Sequence, residues 1–310
     1  MENKTFKNLD EQIEILKSKG LVINDIDKAK EVLFRENYFF VSGYRGLFMK
    51  NFSSRIFIKG TTFEELYATF LFDRSIRNIM FKNILIVENN IKSIISYQLS
   101  KKYGFKEKEY LNPKNFTQDS LKSRQVKDVL NKMKRQIKNN VTHHSATLHY
   151  VSNYGYIPMW VLVKVLSFGI ISELYCILKP DDQYKIAQVY NLDVHTLEVY
   201  LSILANFRNL CAHEDILFDH RTQRSIPDDY VHMRLNIPKE FEEYKYGKND
   251  LFAVVIIMHY MLSRDEYRDF MNEIEYEIEL LDGRIDVVPL ETLLNQIGFP
   301  GNWREILEVE

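Results

Sequence analysis

Ile76-Arg77-Asn78-Ile79-Met80-Phe81-Lys82-Asn83-Ile84-Leu85-Ile86-Val87-Glu88-Asn89-Asn90-Ile91 is the stretch whose reading decides the fold. Ile76, Ile79, Met80, Asn83, Ile84, Val87 and Ile91 recur at steps of three and four, the spacing that stacks side chains on one face of an α-helix. The period starts near Asp73, continues through Ile94 and Ile95, and stops at Gly104, a residue suited to a helix end. Upstream, Thr62 followed by Glu65 is a capping-box pattern and predicts a helix from there to about Leu71 or beyond.

The same period predicts helices over 8–20, 25–35, 158–178, 181–190, 194–212, 249–263, 264–281 and 290–297. Tyr38–Tyr44 reads as aromatic and turn-rich, and 214–238, with Pro227 and Pro238, as a loop. Only 11 glycines and 7 prolines interrupt 310 residues. Together these features predict an all-α multi-helix bundle. The expected organisation is an N-terminal helical extension over 1–60, a core over 61–225, and a C-terminal helical region over 226–310.

Composition excludes several classes. Hydrophobic residues at 45% and charged residues at 27% are ordinary for a globular protein. Two cysteines, Cys176 and Cys211, fit reduced core thiols and supply no disulfide framework or zinc site. The polar N-terminus has no signal-like apolar run. Ile157–Leu178 is interrupted by Lys164 and Glu173, and Leu251–Leu262 is too short to span a bilayer. The expectation is a cytoplasmic protein without membrane contact. The sequence contains no Walker loop, no G-x-G-x-x-G, no G-x-S-x-G, no H-E-x-x-H, no paired C-x-x-C and no His-Asp dipeptide. Neither a cofactor nor a metal is expected. His143 and His144 lack further ligands at a useful spacing.

The net charge of −2 hides an asymmetry. Residues 264–310 carry thirteen acids against four arginines, so the remainder is positive. Lys122, Arg124, Lys127, Lys132, Lys134, Arg135 and Lys138 crowd one segment. They read either as a solvated helix face or as a track for an RNA backbone, where lysines add salt-sensitive affinity without sequence choice.

Asn206-Phe207-Arg208-Asn209-Leu210-Cys211-Ala212-His213 carries the chemistry. Leu197, Leu201, Leu204, Arg208 and Cys211 form one helical face, so Arg208 stands where a leucine is expected. Its permanent charge requires a carboxylate or a phosphate there. His213 lies ~140° around an unbroken helix from Arg208 but shares a face with Asn209. Either the helix ends near Ala212, or the two groups converge through a second element or a second chain. The alternatives are a structural ion pair for Arg208 and a helix cap for His213. Glu88 and Lys92, at i,i+4 on the long helix, read as an ordinary surface pair on spacing alone.

Arg208-Asn209 followed by three residues and His213 resembles the R-x4-6-H signature of the HEPN superfamily. With Leu217-Phe218-Asp219 after it, the motif resembles the Abi-like family of bacterial abortive-infection proteins. Phe63-Glu64-Glu65-Leu66-Tyr67, Phe72-Asp73-Arg74-Ser75-Ile76-Arg77, Tyr103-Gly104, Pro158-Met159-Trp160-Val161 and Leu166-Ser167-Phe168-Gly169 match in the family's order, over roughly 10–225. Glu214 stands where many relatives carry a second histidine. The resemblance implies a HEPN-like core and a metal-independent endoribonuclease active in anti-phage defence as a homodimer. Arg208, Asn209 and His213 would be catalytic, with Glu88 and Lys92 supporting them. The alternative is a catalytically silent RNA-binding or regulatory protein holding a noncoding RNA. An antitoxin is a further possible partner.

Overall fold

The computed structural model describes residues 5–50 and 55–309; the start of the polar N-terminus, residues 1–4, lies outside them. The fold is all-α. In chain order the helices are α1 (Leu9–Ser18), α2 (Ile26–Glu36), α3 (Phe39–Tyr44), α4 (Phe63–Tyr103), α5 (Glu107–Tyr110), α6 (Ser123–Asn140), α7 (Ser145–Tyr154) and α8 (Met159–Val165). They continue with α9 (Phe168–Ile177), α10 (Pro180–Ala187), α11 (Val194–Ala212), α12 (Tyr230–Arg234), α13 (Leu251–Met261), α14 (Arg264–Asp282) and α15 (Leu290–Gln296). A two-stranded antiparallel ribbon, Lys239–Glu240 with Glu243–Tyr244, is the sheet among the described residues.

The two predicted segments around Leu71 are one helix. α4 runs for 41 residues, ~60 Å at the usual rise. It begins with the expected capping box: the Glu65 backbone N–H donates to Thr62 Oγ1, and the Thr62 N–H to Glu65 Oε2. The other Glu65 oxygen accepts the N–H groups of Asp286 and Val287, both at 2.8 Å. One carboxylate therefore starts the helix and ties the C-terminal region to it. Ile84, Val87, Ile91 and Ile95 are fully buried, and α3, α8, α9, α10, α11 and α14 all pack on α4.

Three predicted elements differ. The helix expected over 158–178 is two, because Leu166 is extended and Ser167 caps the next helix with its side chain on the Ile170 N–H. Tyr38–Tyr44 is helical, since Phe40 and Tyr44, four residues apart, bury their rings against Phe63 and Phe70 of α4. The 214–238 loop contains α12. The short ribbon turns through Phe241 and Glu242, both at positive φ, without the Asn-Gly signal such turns usually carry. α13 is buried on every side, which explains its unbroken apolar run. Among the described residues no helix is long and apolar enough to cross a membrane. Burial raises both cysteine thiols above their ordinary pKa.

His232 is fully buried. Its Nδ1 accepts the Asp229 N–H at 3.1 Å, its Nε2 donates to the Gly247 carbonyl at 2.9 Å, and its ring stacks on Tyr244. The bond accepted by Nδ1 requires the neutral ring, and burial lowers the pKa of His232. The unfolded chain takes up this proton near pH 6.5, whereas the folded chain resists it. The contribution of His232 to stability is therefore complete above ~6.5 and declines as pH falls below it. Urea midpoints measured between pH 7.5 and 5 should drop for the wild type and drop less for His232→Gln. Identical slopes would refute the assignment.

Candidate functional site

The end of α11 is built by a turn and a buried ion pair. The helix stops at Ala212 with His213 as its C-cap. The Glu214 N–H reaches the Cys211 carbonyl and the Asp215 N–H reaches the Leu210 carbonyl, the two bonds of a Schellman turn. Glu214 takes the left-handed position, φ 54°, which glycine normally fills. The turn is held from α4. Arg77 Nη1 donates to the Asp215 carbonyl at 3.2 Å and to Asp73 Oδ2, and the Leu217 N–H donates to the same Asp73 oxygen. Tyr44 Oη of α3 also donates to Asp73, at 2.7 Å. Gly43 lets α3 approach closely, because a Cβ there would meet Ile216 at 2.4 Å. Asp73 and Arg77 therefore fix the backbone that presents His213, a role that spacing alone did not disclose. Arg74 instead joins α4 to α2 through both oxygens of Glu36.

Leu197, Leu201, Leu204 and Cys211 are buried as expected. Arg208 interrupts that face beside Glu88 of α4. Its Nε lies 3.4 Å from Glu88 Oε2, and its guanidinium rests over the Phe81 ring at 5.6 Å. The other Glu88 oxygen accepts Lys92 Nζ at 2.6 Å. Glu88 and Lys92 are not a surface pair: they are 6% and 8% exposed. Among the described residues the two Nη groups of Arg208 have no partner, and its side chain is 30% exposed. The site thus holds two cations on one carboxylate, with a guanidinium fork left open.

Asn206, Asn209 and His213 line the solvent-facing side of α11. Among the described residues neither the Asn209 amide nor the His213 ring has a side-chain partner. Since α11 is continuous from Arg208 to Ala212, the structure leaves Arg208 and His213 on different faces of one chain. The loop after the turn folds back on α11 and brings an unforeseen imidazole: His220 Nε2 lies 2.7 Å from Asn206 Oδ1, its ring edge-on to Phe207. Burial, with help from Arg221, lowers its pKa. Position in sequence gives no sign of it, because the fold-back depends on the contacts of Asp73 and Arg77.

The basic segment is α6, whose inner face is Val126, Val129, Leu130 and Met133. Its cations divide. Lys122 donates to the Cys176 carbonyl, Lys132 is paired with Glu173, and Arg124 stands 3.9 Å from Asp128. Lys127, Lys134, Arg135 and Lys138 are exposed, with no carboxylate partner among the described residues. No group of three His, Cys, Asp or Glu side chains among the described residues is placed to hold a metal ion.

The family model described as Abi-like protein matches residues 31–219, more than half of the chain. The chain belongs to the Abi-like family. The matched region includes both α4 ion pairs, Arg208 and His213, and ends one residue before His220. Comparison with curated proteins and with solved structures gives no match.

Removing a buried partner leaves an uncompensated charge, at a cost of roughly 3–5 kcal/mol. Asp73→Asn and Glu88→Gln should each destabilise this Abi-like protein by about that amount in urea unfolding. Arg208→Ala, at a partly exposed position, should cost well under half as much. Equal losses for all three would contradict the burial argument.

Proposed function

We propose that this protein is a metal-independent endoribonuclease of the HEPN type, acting on RNA in abortive-infection defence. Family membership supports the defence role. The observation that carries the catalytic reading is the held, open fork of Arg208, with an exposed imidazole, on another face, at the end of the same helix. Glu88 and Phe81 orient the guanidinium through Nε and its face, which leaves the Nη edge to grip two oxygens of a phosphate.

In the proposed reaction the ribose 2′-oxygen bonds to the adjacent phosphorus and the bond to the 5′-oxygen breaks. A base takes the 2′-proton and an acid returns one to the 5′-oxygen, leaving a 2′,3′-cyclic phosphate. Arg208 stabilises charge on the phosphorane, His213 serves as acid or base near neutral pH, and Asn209 orients the phosphate or sugar. No cofactor is required. One imidazole beside one guanidinium is half of such a site. We therefore include a homodimer in the proposal, with two α11 ends facing across a two-fold axis.

A second reading rests on a specific observation: the four unpaired cations of α6 suit a backbone track whether or not the helix end is catalytic. On that reading the protein is a silent binder of a noncoding RNA. A ribonuclease assay in EDTA separates the two. Arg208→Ala and His213→Ala should each lower cleavage ~10²–10⁴-fold while keeping the wild-type circular dichroism, and products should carry cyclic phosphate ends. Mixing the two inactive variants should restore part of the activity if sites draw on both chains. Full activity of the purified double variant would rule out the nuclease reading.

A further inference from the structure

Five aromatic side chains close into a ring at the far end of α4, outside the site described above. Trp160 of α8 packs on Phe105 at 5.7 Å between centroids, and Phe105 on Tyr156 at 5.6 Å. Tyr156 meets Tyr154 at 6.3 Å, and Tyr154 meets Tyr150 of α7 at 5.4 Å. The Trp160 indole N–H donates back to Tyr150 Oη. A cluster that only sealed a helix crossing would be buried, but Tyr154, Trp160 and Phe105 are 57%, 44% and 37% exposed. Leaving so much aromatic surface in water is unfavourable unless something covers it.

One cation faces the ring and a second lies further back on α4. Lys106 Nζ lies 5.0 Å from the Tyr156 centroid and 5.9 Å from that of Phe105, and Lys101 Nζ lies 5.7 Å from the ring of Tyr97. Among the described residues neither lysine is paired with a carboxylate. An exposed stripe of α4 runs from the level of the Arg208 site toward the patch. Leu85, Asn89, Ser93, Tyr97 and Lys101 are all exposed and follow one another every four residues along α4. Lys164 of α8 donates to Asn89, one residue from Glu88, while Trp160 lies one turn earlier on α8. An extended polyanion leaving the open fork of Arg208 would meet this stripe and then the ring, about 20 Å along the helix.

We infer that the ring is a stacking platform for unpaired bases of single-stranded RNA, with Lys101 and Lys106 meeting its phosphates. Flat, part-exposed rings interleaved with free lysines are what sequence-tolerant single-strand binding requires. A protein partner would more readily match an uncharged patch. The inference rests on the reading that RNA is the ligand, and it adds which form of RNA is bound and where.

The test uses the full chain in a His213→Ala background, so that RNA stays intact. An unstructured ten-nucleotide oligouridine and an RNA duplex of equal length serve as probes. The chain has two tryptophans, and Trp303 is buried, so quenching of exposed indole emission reports on Trp160. Single-stranded RNA should quench that emission. Tyr154→Ala with Trp160→Ala should weaken its binding about tenfold or more, while Trp160→Phe, which keeps a ring, should bind nearly as the parent does. Lys101→Ala with Lys106→Ala, surface changes that spare the core, should weaken binding and flatten its salt dependence. If the parent binds RNA with no quenching and the aromatic variants match its affinity, the platform is refuted and the RNA reading stands. Equal affinity for the duplex refutes it as well. So does loss of self-association in the aromatic variants with RNA binding unchanged, which would make the patch a protein interface. A parent that binds neither probe overturns the RNA reading itself.

Discussion

The carboxylate of Asp73 is buried where three groups from three parts of the chain converge on it. Desolvating an ion costs several kcal/mol, and the attraction of one partner rarely repays it unless the remaining lone pairs are also satisfied. Here three donors meet one oxygen, Oδ2: Arg77 lies one turn along the same helix, Tyr44 comes from α3, and the Leu217 N–H comes from the segment after α11; burial nonetheless raises the pKa of Asp73. Because Arg77 also takes the Asp215 carbonyl, the pair fixes a loop as well as itself. The turn that carries Glu214 at positive φ has no glycine to relax it. Its shape is imposed by contacts from α4, so the placing of His213 depends on a charge pair that never meets solvent.

A second buried carboxylate, Glu88, acts differently. It faces two cations and is left one negative charge short, so the surroundings of Arg208 are net positive. At an effective dielectric of ~20, a unit charge 4 Å away is worth about 4 kcal/mol. On the proposed reading, a phosphate at the open edge of Arg208 would gain from that excess positive charge. A lysine at position 208 would keep the charge but lose both the Nε anchor and the planar fork.

The helices were legible because the residues that make them state their own periodicity and punctuation: Thr62 with Glu65, the isoleucine ladder from Ile76 to Ile95, and Gly104. What escaped depends on tertiary contact. The break at Leu166–Ser167 lies inside an apolar run with no proline. The helicity of Phe39–Tyr44 comes from aromatic partners on α4. The ribbon turn at Phe241–Glu242 has residues that give no turn signal. At the candidate site, Arg208's misfit in a leucine face called for a carboxylate or a phosphate, and Glu88 supplies a carboxylate. The role of Asp73 and Arg77 was hidden because their second contacts are to backbone, which leaves no trace in residue type. His220 was hidden for the same reason.

The position of His220 sharpens what the proposed chemistry needs. It contacts Asn206, and His213 lies seven residues further along the same exposed face, ~10 Å along the axis. A single phosphate is too small to engage both rings at once. His220 is also held by Phe207 and Asn206, and burial lowers its pKa, so it suits holding the fold-back loop better than donating a proton. Within one chain, then, the reach of Arg208's open fork includes at most the imidazole of His213, and that ring leaves the helix on another face. On the proposed nuclease reading, a second imidazole for the same scissile bond would come from a second α11 end. The geometry of one protomer thus argues for the two-fold assembly on chemical grounds, independently of how common such assemblies are.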